Sequence, residues 1–200
     1  LSLRRQRQMC IRDSIEGGIF EFMHRIILTD IKPPIYHELM RVHGRKLNAW
    51  IYEQLARRVP ELDEVFFDKL KRWFDYPEEN RLEKKLLRAA HYLATQWEFG
   101  IIYHFNQAIY GIDATKAAIE SNIEDHYDLA GVQKISLKGK TSKFIDLVGQ
   151  LRFQKRWAQS PRVPETSVMG HVLIVAILGY FCAAAVSYTH LRAHETRSNL

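Results

Sequence analysis

The run with the most chemical content is Arg156-Trp157-Ala158-Gln159-Ser160-Pro161-Arg162-Val163-Pro164-Glu165-Thr166-Ser167-Val168-Met169-Gly170-His171. It sets a guanidinium beside an indole, then a polar loop bounded by prolines, then a histidine at the head of an apolar stretch. Imidazole can ligate a divalent metal or move a proton near neutral pH. A histidine standing alone is more often a hydrogen-bonded core residue, so His171 draws its interest from the residues before it. Glu124-Asp125-His126-Tyr127-Asp128 has the residue types of a metal cluster. Sequence neighbours point around a helix instead of converging on one ion, so a solvated face is expected there. Lys138, Lys140 and Lys143 form a small basic patch, expected as a solvated loop. His37 and His43 lie near proline-bounded turns with no partner at a useful spacing. The chain holds no Gly-rich phosphate loop, no Ser/His/Asp motif and no setting for a thiol nucleophile.

The elements that must position these residues read as helices. Leu47, Trp50, Ile51 and Leu55 have amphipathic helix spacing, as do Leu62, Phe66, Leu70 and Trp73. The longest helix is expected over 79–106, with a seam of Leu86, Ala90, Leu93, Trp97, Ile101 and Phe105. Pro33-Pro34 and Pro60 break the chain between helices, and Pro77 can open the next. Asp113 is expected to cap a short helix through Ile123. Thr141 or Ser142 can cap a helix carrying Phe144, Ile145 and Val148. Pro161 and Pro164 call for an extended link, and a last helix starts near Thr166 or Ser167. No stretch alternates long enough to argue for a sheet, so the fold class is all-α. Val172 to Ala184 is uncharged but shorter than the roughly 20 residues of a membrane span. A buried core helix is the better reading.

The chain has 200 residues, 46% hydrophobic and 26% charged, which excludes disorder, collagen and a disulfide-rich miniprotein. The net charge of +6 raises nucleic acid as a partner, but the ends carry much of it. Met9-Cys10-Ile11-Arg12-Asp13-Ser14 can be encoded so that its reverse complement reads, in frame, Ala-Val-Ser-Tyr-Thr-His. That is the sequence of residues 185–190. Such an inverted repeat has no origin in protein physics. It matches a transposon-end sequencing adapter translated at both ends of a read. Residues 1–14 and 185–200 are therefore expected to be adapter-derived, and the protein to be cut at both ends. They hold six arginines and two acids; the remainder has 23 basic and 21 acidic residues, a net +2. The argument for nucleic acid disappears. Cys182 is then the one cysteine left, and the absence of disulfides fits a reducing cytoplasm.

The Arg156-Trp157 pair, the polar loop and His171 before an apolar helix resemble the start of the HD-domain phosphohydrolases, especially their nucleotidase-like branch. The resemblance implies a helical HD bundle with two histidines and two aspartates around one divalent ion, in the order His, His-Asp, Asp. It implies His171 as the first metal ligand, Arg156 as a contact to phosphate and Trp157 as a surface for the sugar or base. The substrate would be a nucleotide or related phosphate ester, and the metal's identity stays open. No His-Asp dipeptide occurs in the chain. The other three ligands are expected beyond residue 184, so this fragment is expected to bind no metal and to be inactive while its parent is an enzyme.

A second resemblance covers the first half. Ile19-Phe20-Glu21-Phe22-Met23-His24-Arg25-Ile26-Ile27-Leu28-Thr29-Asp30-Ile31-Lys32-Pro33 is similar to the family helix that reads Phe-His-Asp, apolar residues, Leu-Thr-Arg-Asp-Ile and proline. Glu21-Phe22 stands at the His-Asp position. Arg88-Ala89-Ala90-His91 resembles the family's Ala-Ala-Asp, with His91 at the closing aspartate. Residues 15–125 thus read as a degenerate HD-like domain and 126–184 as the start of a truncated HD domain. Two other readings stay open: a non-enzymatic helical interaction protein, and a membrane protein with a span from about 172. The chosen reading has no nucleic acid and no membrane as partner. Apolar surface on the last helix is expected to drive self-association. Deleting 1–14 and 185–200 should leave the remaining helices folded and the chain as soluble, by circular dichroism and sedimentation; loss of folding would make the ends part of the protein.

Overall fold

A computed structural model describes residues 3–29, 31, 33–60, 64–136, 140–161 and 163–197, with side chains between 10 and 182 other than 33, 34 and 80. The described residues are mostly helical, with no strand longer than a single bridge among them. The helices are α1 (Leu3–Leu28), α2 (Pro33–Arg58), α3 (Glu64–Asp75), α4 (Arg81–Tyr103), α5 (Ile112–Glu124), α6 (Ala130–Ser136), α7 (Lys140–Gly149) and α8 (Val168–Arg197). Short 3-10 turns at Pro77–Asn80 and Gln150–Arg152 precede α4 and follow α7. The all-α expectation holds. The chain falls into two compact units, 1–133 and 134–200, divided inside α6.

The first unit has two apolar centres. Ile19 and Phe20 of α1, Ile51, Tyr52 and Leu55 of α2, and Phe66, Leu70 and Trp73 of α3 are buried together in sequence register. Phe20 meets Phe66 edge-on with centroids 5.3 Å apart. The second centre joins Ala89 of α4, Ile119 and Ile123 of α5, and Val132 of α6, flanked by Tyr92, Leu93 and Leu129. An ion pair from Lys85 to Asp128 closes its edge and holds the Asp128 carboxyl below the usual range.

Several expectations need correction. Trp50 is 45% exposed. The buried face of α2 runs through Asn48, Ile51, Tyr52 and Leu55, one residue away, because Asn48 meets the buried His24 and both Asn48 and Tyr52 reach Asp75 at the edge. On α4 the buried alanine is Ala89, and Ala90 is exposed. This helix serves α1 on one side and α5 on the other, so no single stripe describes it. It ends at Tyr103, leaving Phe105 in a turn and 87% exposed. The cap of α5 is Gly111, in a left-handed conformation (φ 79°). Asp113 sits in the first turn and accepts the Tyr103 hydroxyl at 3.0 Å. α7 begins at Lys140, which places Thr141 and Ser142 inside it. Leu62 and Lys138 lie outside the described residues. Pro77 opens the turn before α4 as expected. α1 runs unbroken through residues 14 and 15, with Cys10 half-buried beside Glu83.

Gly17 sets how closely α1 approaches α3. A Cβ there would stand 2.6 Å from both Cζ2 and Cζ3 of the Trp73 ring. Trp73 is buried and cannot swing aside. Gly17→Ala should therefore destabilise the chain by about 1–3 kcal/mol, the cost of overpacking, although alanine alone favours a helix by about 1 kcal/mol. Urea unfolding followed by circular dichroism reads the difference; a gain in stability would mean that α1 and α3 do not meet in this way.

Candidate functional site

The second unit carries the Arg156 to His171 run. The chain leaves the 3-10 turn after α7, makes a loop and enters α8. Two backbone bonds close that loop at its base. The Arg156 N–H donates to the Thr166 carbonyl at 2.9 Å, and the Val168 N–H donates to the Gln154 carbonyl at 2.8 Å. Lys155 and Ser167 form the antiparallel bridge between them. Lys155 Nζ also pairs with Glu165 Oε1 at 2.7 Å across the same base. The expected extended link is thus a closed loop with its ends in register.

Inside the loop, Trp157 has φ 55°, the left-handed region that a bulky residue seldom occupies. The Ser160 N–H donates to its carbonyl at 2.9 Å and helps hold the turn. The turn leaves the indole 66% exposed. The Arg156 guanidinium lies 5.6 Å from the ring centroid, a cation–π arrangement. Arg156 and Trp157 therefore present one composite surface, a positive charge against an exposed indole.

Ser167 begins α8. Its Oγ accepts the Gly170 N–H at 3.0 Å, so it acts as the N-cap, and its carbonyl accepts the His171 N–H at 3.1 Å. His171 is exposed in the first helical turn. The structure pairs Arg156 with Trp157 directly. It ties His171 to them through the backbone, five residues beyond the Thr166 partner of Arg156. Among the described residues no group of three or more His, Cys, Asp or Glu side chains could hold a metal. One imidazole does not make a divalent site, and the residues present do not fit a resident metal.

A family model described as HD domain matches residues 148–195. That stretch of the second unit is similar to the HD domain. The match starts in the last turns of α7, takes in the closed loop and runs along α8. No curated protein and no solved structure matches the chain.

Outside the matched residues, the positions compared with metal ligands have other surroundings. Glu21 Oε1 accepts the Trp73 Nε1–H at 3.0 Å. Phe22 is 41% exposed. His91 is exposed, and its ring is near that of its neighbour Tyr92. In the 124–128 run, the expected solvated face holds for Glu124, Asp125 and Asp128 but fails for His126. That ring is buried, donates from Nδ1 to the Asn122 carbonyl at 2.8 Å and packs near Tyr92. His37 and His43 are exposed, as are Lys140 and Lys143.

Sequence reasoning missed a polar chain in the first unit that runs from the buried His24, Asn48 and Tyr52 to the exposed Asp75. Its members lie on three helices at separations that fit no motif. The one signal was Asn48 on the apolar face with Ile51 and Leu55. Burial and the adjoining Asp75 carboxylate push the Tyr52 hydroxyl well above its ordinary value.

The expected buried core helix is corrected for α8. Val172, Leu173, Ile174, Val175 and Leu178 are each about half exposed. The expected apolar surface on the last helix is thus present. No helix among the described residues is long and apolar enough to cross a membrane. Replacing the cap, Ser167→Ala, should cost the start of α8 about 1 kcal/mol and speed amide exchange at Gly170 and His171. Unchanged protection there would remove Ser167 from the role of cap.

Proposed function

We propose that the HD-domain segment opens the site of a metal-dependent phosphohydrolase of the nucleotidase-like branch, acting on a nucleotide or related phosphate ester. The chain is a fragment of that enzyme. The observation that carries the reading is the closed loop within the HD match. It holds an arginine and an exposed tryptophan together at a fixed register from a histidine in the first turn of α8. Arg156 binds a substrate phosphate, since guanidinium gives charge-assisted hydrogen bonds to phosphate oxygens. Trp157 stacks on the base or sugar. His171 is the first of four ligands to a divalent ion, the other three belonging to sequence that follows residue 184 in the parent. In the parent, a divalent ion held by His171 and those further ligands would supply an activated water. The first unit, whose Glu21 and His91 are not gathered into a metal group, is a degenerate HD-like domain.

The parent gene tests this directly. It should continue into a helix with His-Asp and later an aspartate; continuation without them favours a helical interaction protein. In the parent, His171→Ala should abolish metal-dependent turnover with helix content unchanged. Trp157→Ala should weaken substrate binding by about 1–3 kcal/mol, the range for base–aromatic stacking, and show mainly in KM. The present chain should release no phosphate from nucleotides with or without manganese. Full activity of the parent after His171→Ala would overturn the reading.

A further inference from the structure

The polar chain that starts at the buried His24 has a direction that can be worked out. The Asp75 carboxylate can only accept, so the group of Asn48 that faces it, 3.1 Å away, is the amide NH2. The carbonyl Oδ1 of Asn48 therefore faces His24, whose Nε2 lies 3.2 Å from it. An oxygen with no hydrogen requires a donor, so His24 carries its proton on Nε2. Tyr52 donates its hydroxyl to the same Asp75 oxygen at 3.1 Å. Every donor in the chain points toward Asp75.

In the neutral ring this leaves Nδ1 of His24 bare. The residue is 1% exposed, and Nδ1 has no hydrogen-bond partner. Its ring is stacked on Phe74 at 4.3 Å and meets Tyr36 edge-on at 6.2 Å. The surrounding groups come from four helices. α1 supplies Glu21 and Arg25, α2 supplies Tyr36 and Asn48, α3 supplies Phe74 and Asp75, and α4 supplies Lys84. Glu21 favours a charged imidazole, while Arg25 and Lys84 oppose it. Glu21 is already engaged with Trp73, and Asp75 is reached only through Asn48. A proton added at Nδ1 places an N–H and a full charge where neither has an acceptor.

We propose that His24 is an acid-sensitive latch: protonation of its buried Nδ1 releases α1 from α2 and α3. Burial lowers the imidazole below its ordinary value, with Asn48 pulling the other way. The sign follows. An unfolded histidine titrates near 6.5, above the folded one, so in the interval between them the unfolded chain binds more protons. Stability from the neutral ring is complete above that interval and falls as pH drops through it.

Urea unfolding of the full chain at pH 7.5 and pH 5.5, alongside His24→Gln, tests the latch. His126→Gln serves as control for the other buried histidine. The wild-type unfolding constant should rise on acidification, up to about tenfold for each pKa unit separating the two states within that range. His24→Gln should lose that rise, and His126→Gln should keep it. If His24→Gln does not fold, nitrogen-15 NMR of the wild-type imidazole decides. A protonated Nε2, a bare Nδ1 and titration below the exposed histidines support the latch. An equal acid response in folded His24→Gln, or a His24 ring that titrates with or above the exposed histidines, overturns it.

Discussion

The indole of Trp73 is the joint on which the first unit depends. Its ring lies against the bare Cα of Gly17, and its Nε1–H reaches Glu21 one turn further along α1. Phe20, between those contacts, has its ring centroid 6.1 Å away. On the α4 side the Lys84 ammonium stands 4.6 Å from the indole centroid. One side chain of α3 thus fixes the approach of two other helices. Aromatic burial supplies the non-directional part of the energy, and the indole N–H and ring face supply orientation. The next two residues extend the joint, since Phe74 stacks on His24 and Asp75 anchors Asn48 and Tyr52. The last turn of α3 therefore sets both the packing and the polar core.

Glu21 shows what that joint demands. It sits at the position the family resemblance compares with His-Asp, yet its carboxylate is occupied by the indole N–H and lies near Lys84. Burial pushes the Lys84 ammonium down from its ordinary value, and Glu21 offsets this. A carboxylate that satisfies a partly buried donor and balances a half-buried cation is held by structural work. A metal at this place would compete with both contacts. In the first unit, groups able to do chemistry are spent on holding helices together.

The all-helical class was legible in the sequence, because apolar spacing and prolines act locally, but helix lengths were not: α4 was expected to be the longest, and α1, α2 and α8 are longer. Phe66, Leu70 and Trp73 fall on the buried face that periodicity assigns. What periodicity could not show is which of two adjacent faces a neighbour selects. Asn48 and Tyr52 turn their face of α2 toward α1 and α3, where His24 and Asp75 supply their partners. Ala89 replaces Ala90 where α4 turns between α1 and α5. The site run was legible as a set of residue types, since Arg156, Trp157 and His171 lie within one short stretch. The closure of the loop was not, because it rests on backbone bonds between 154–156 and 166–168 that no side chain announces.

The second unit reverses the balance found in the first. Its loop is held by backbone rungs, one ion pair and a serine cap, while apolar residues all along the early turns of α8 stay half exposed. A helix that is apolar on every side is the kind found in the middle of a protein. An exposed ion pair such as Lys155–Glu165 adds little stability, so the register of this loop owes little to electrostatics. Covering those early turns needs a partner with matching apolar surface. His171 is exposed in the first turn of the same helix, so whatever covers the apolar residues also comes to stand beside its imidazole.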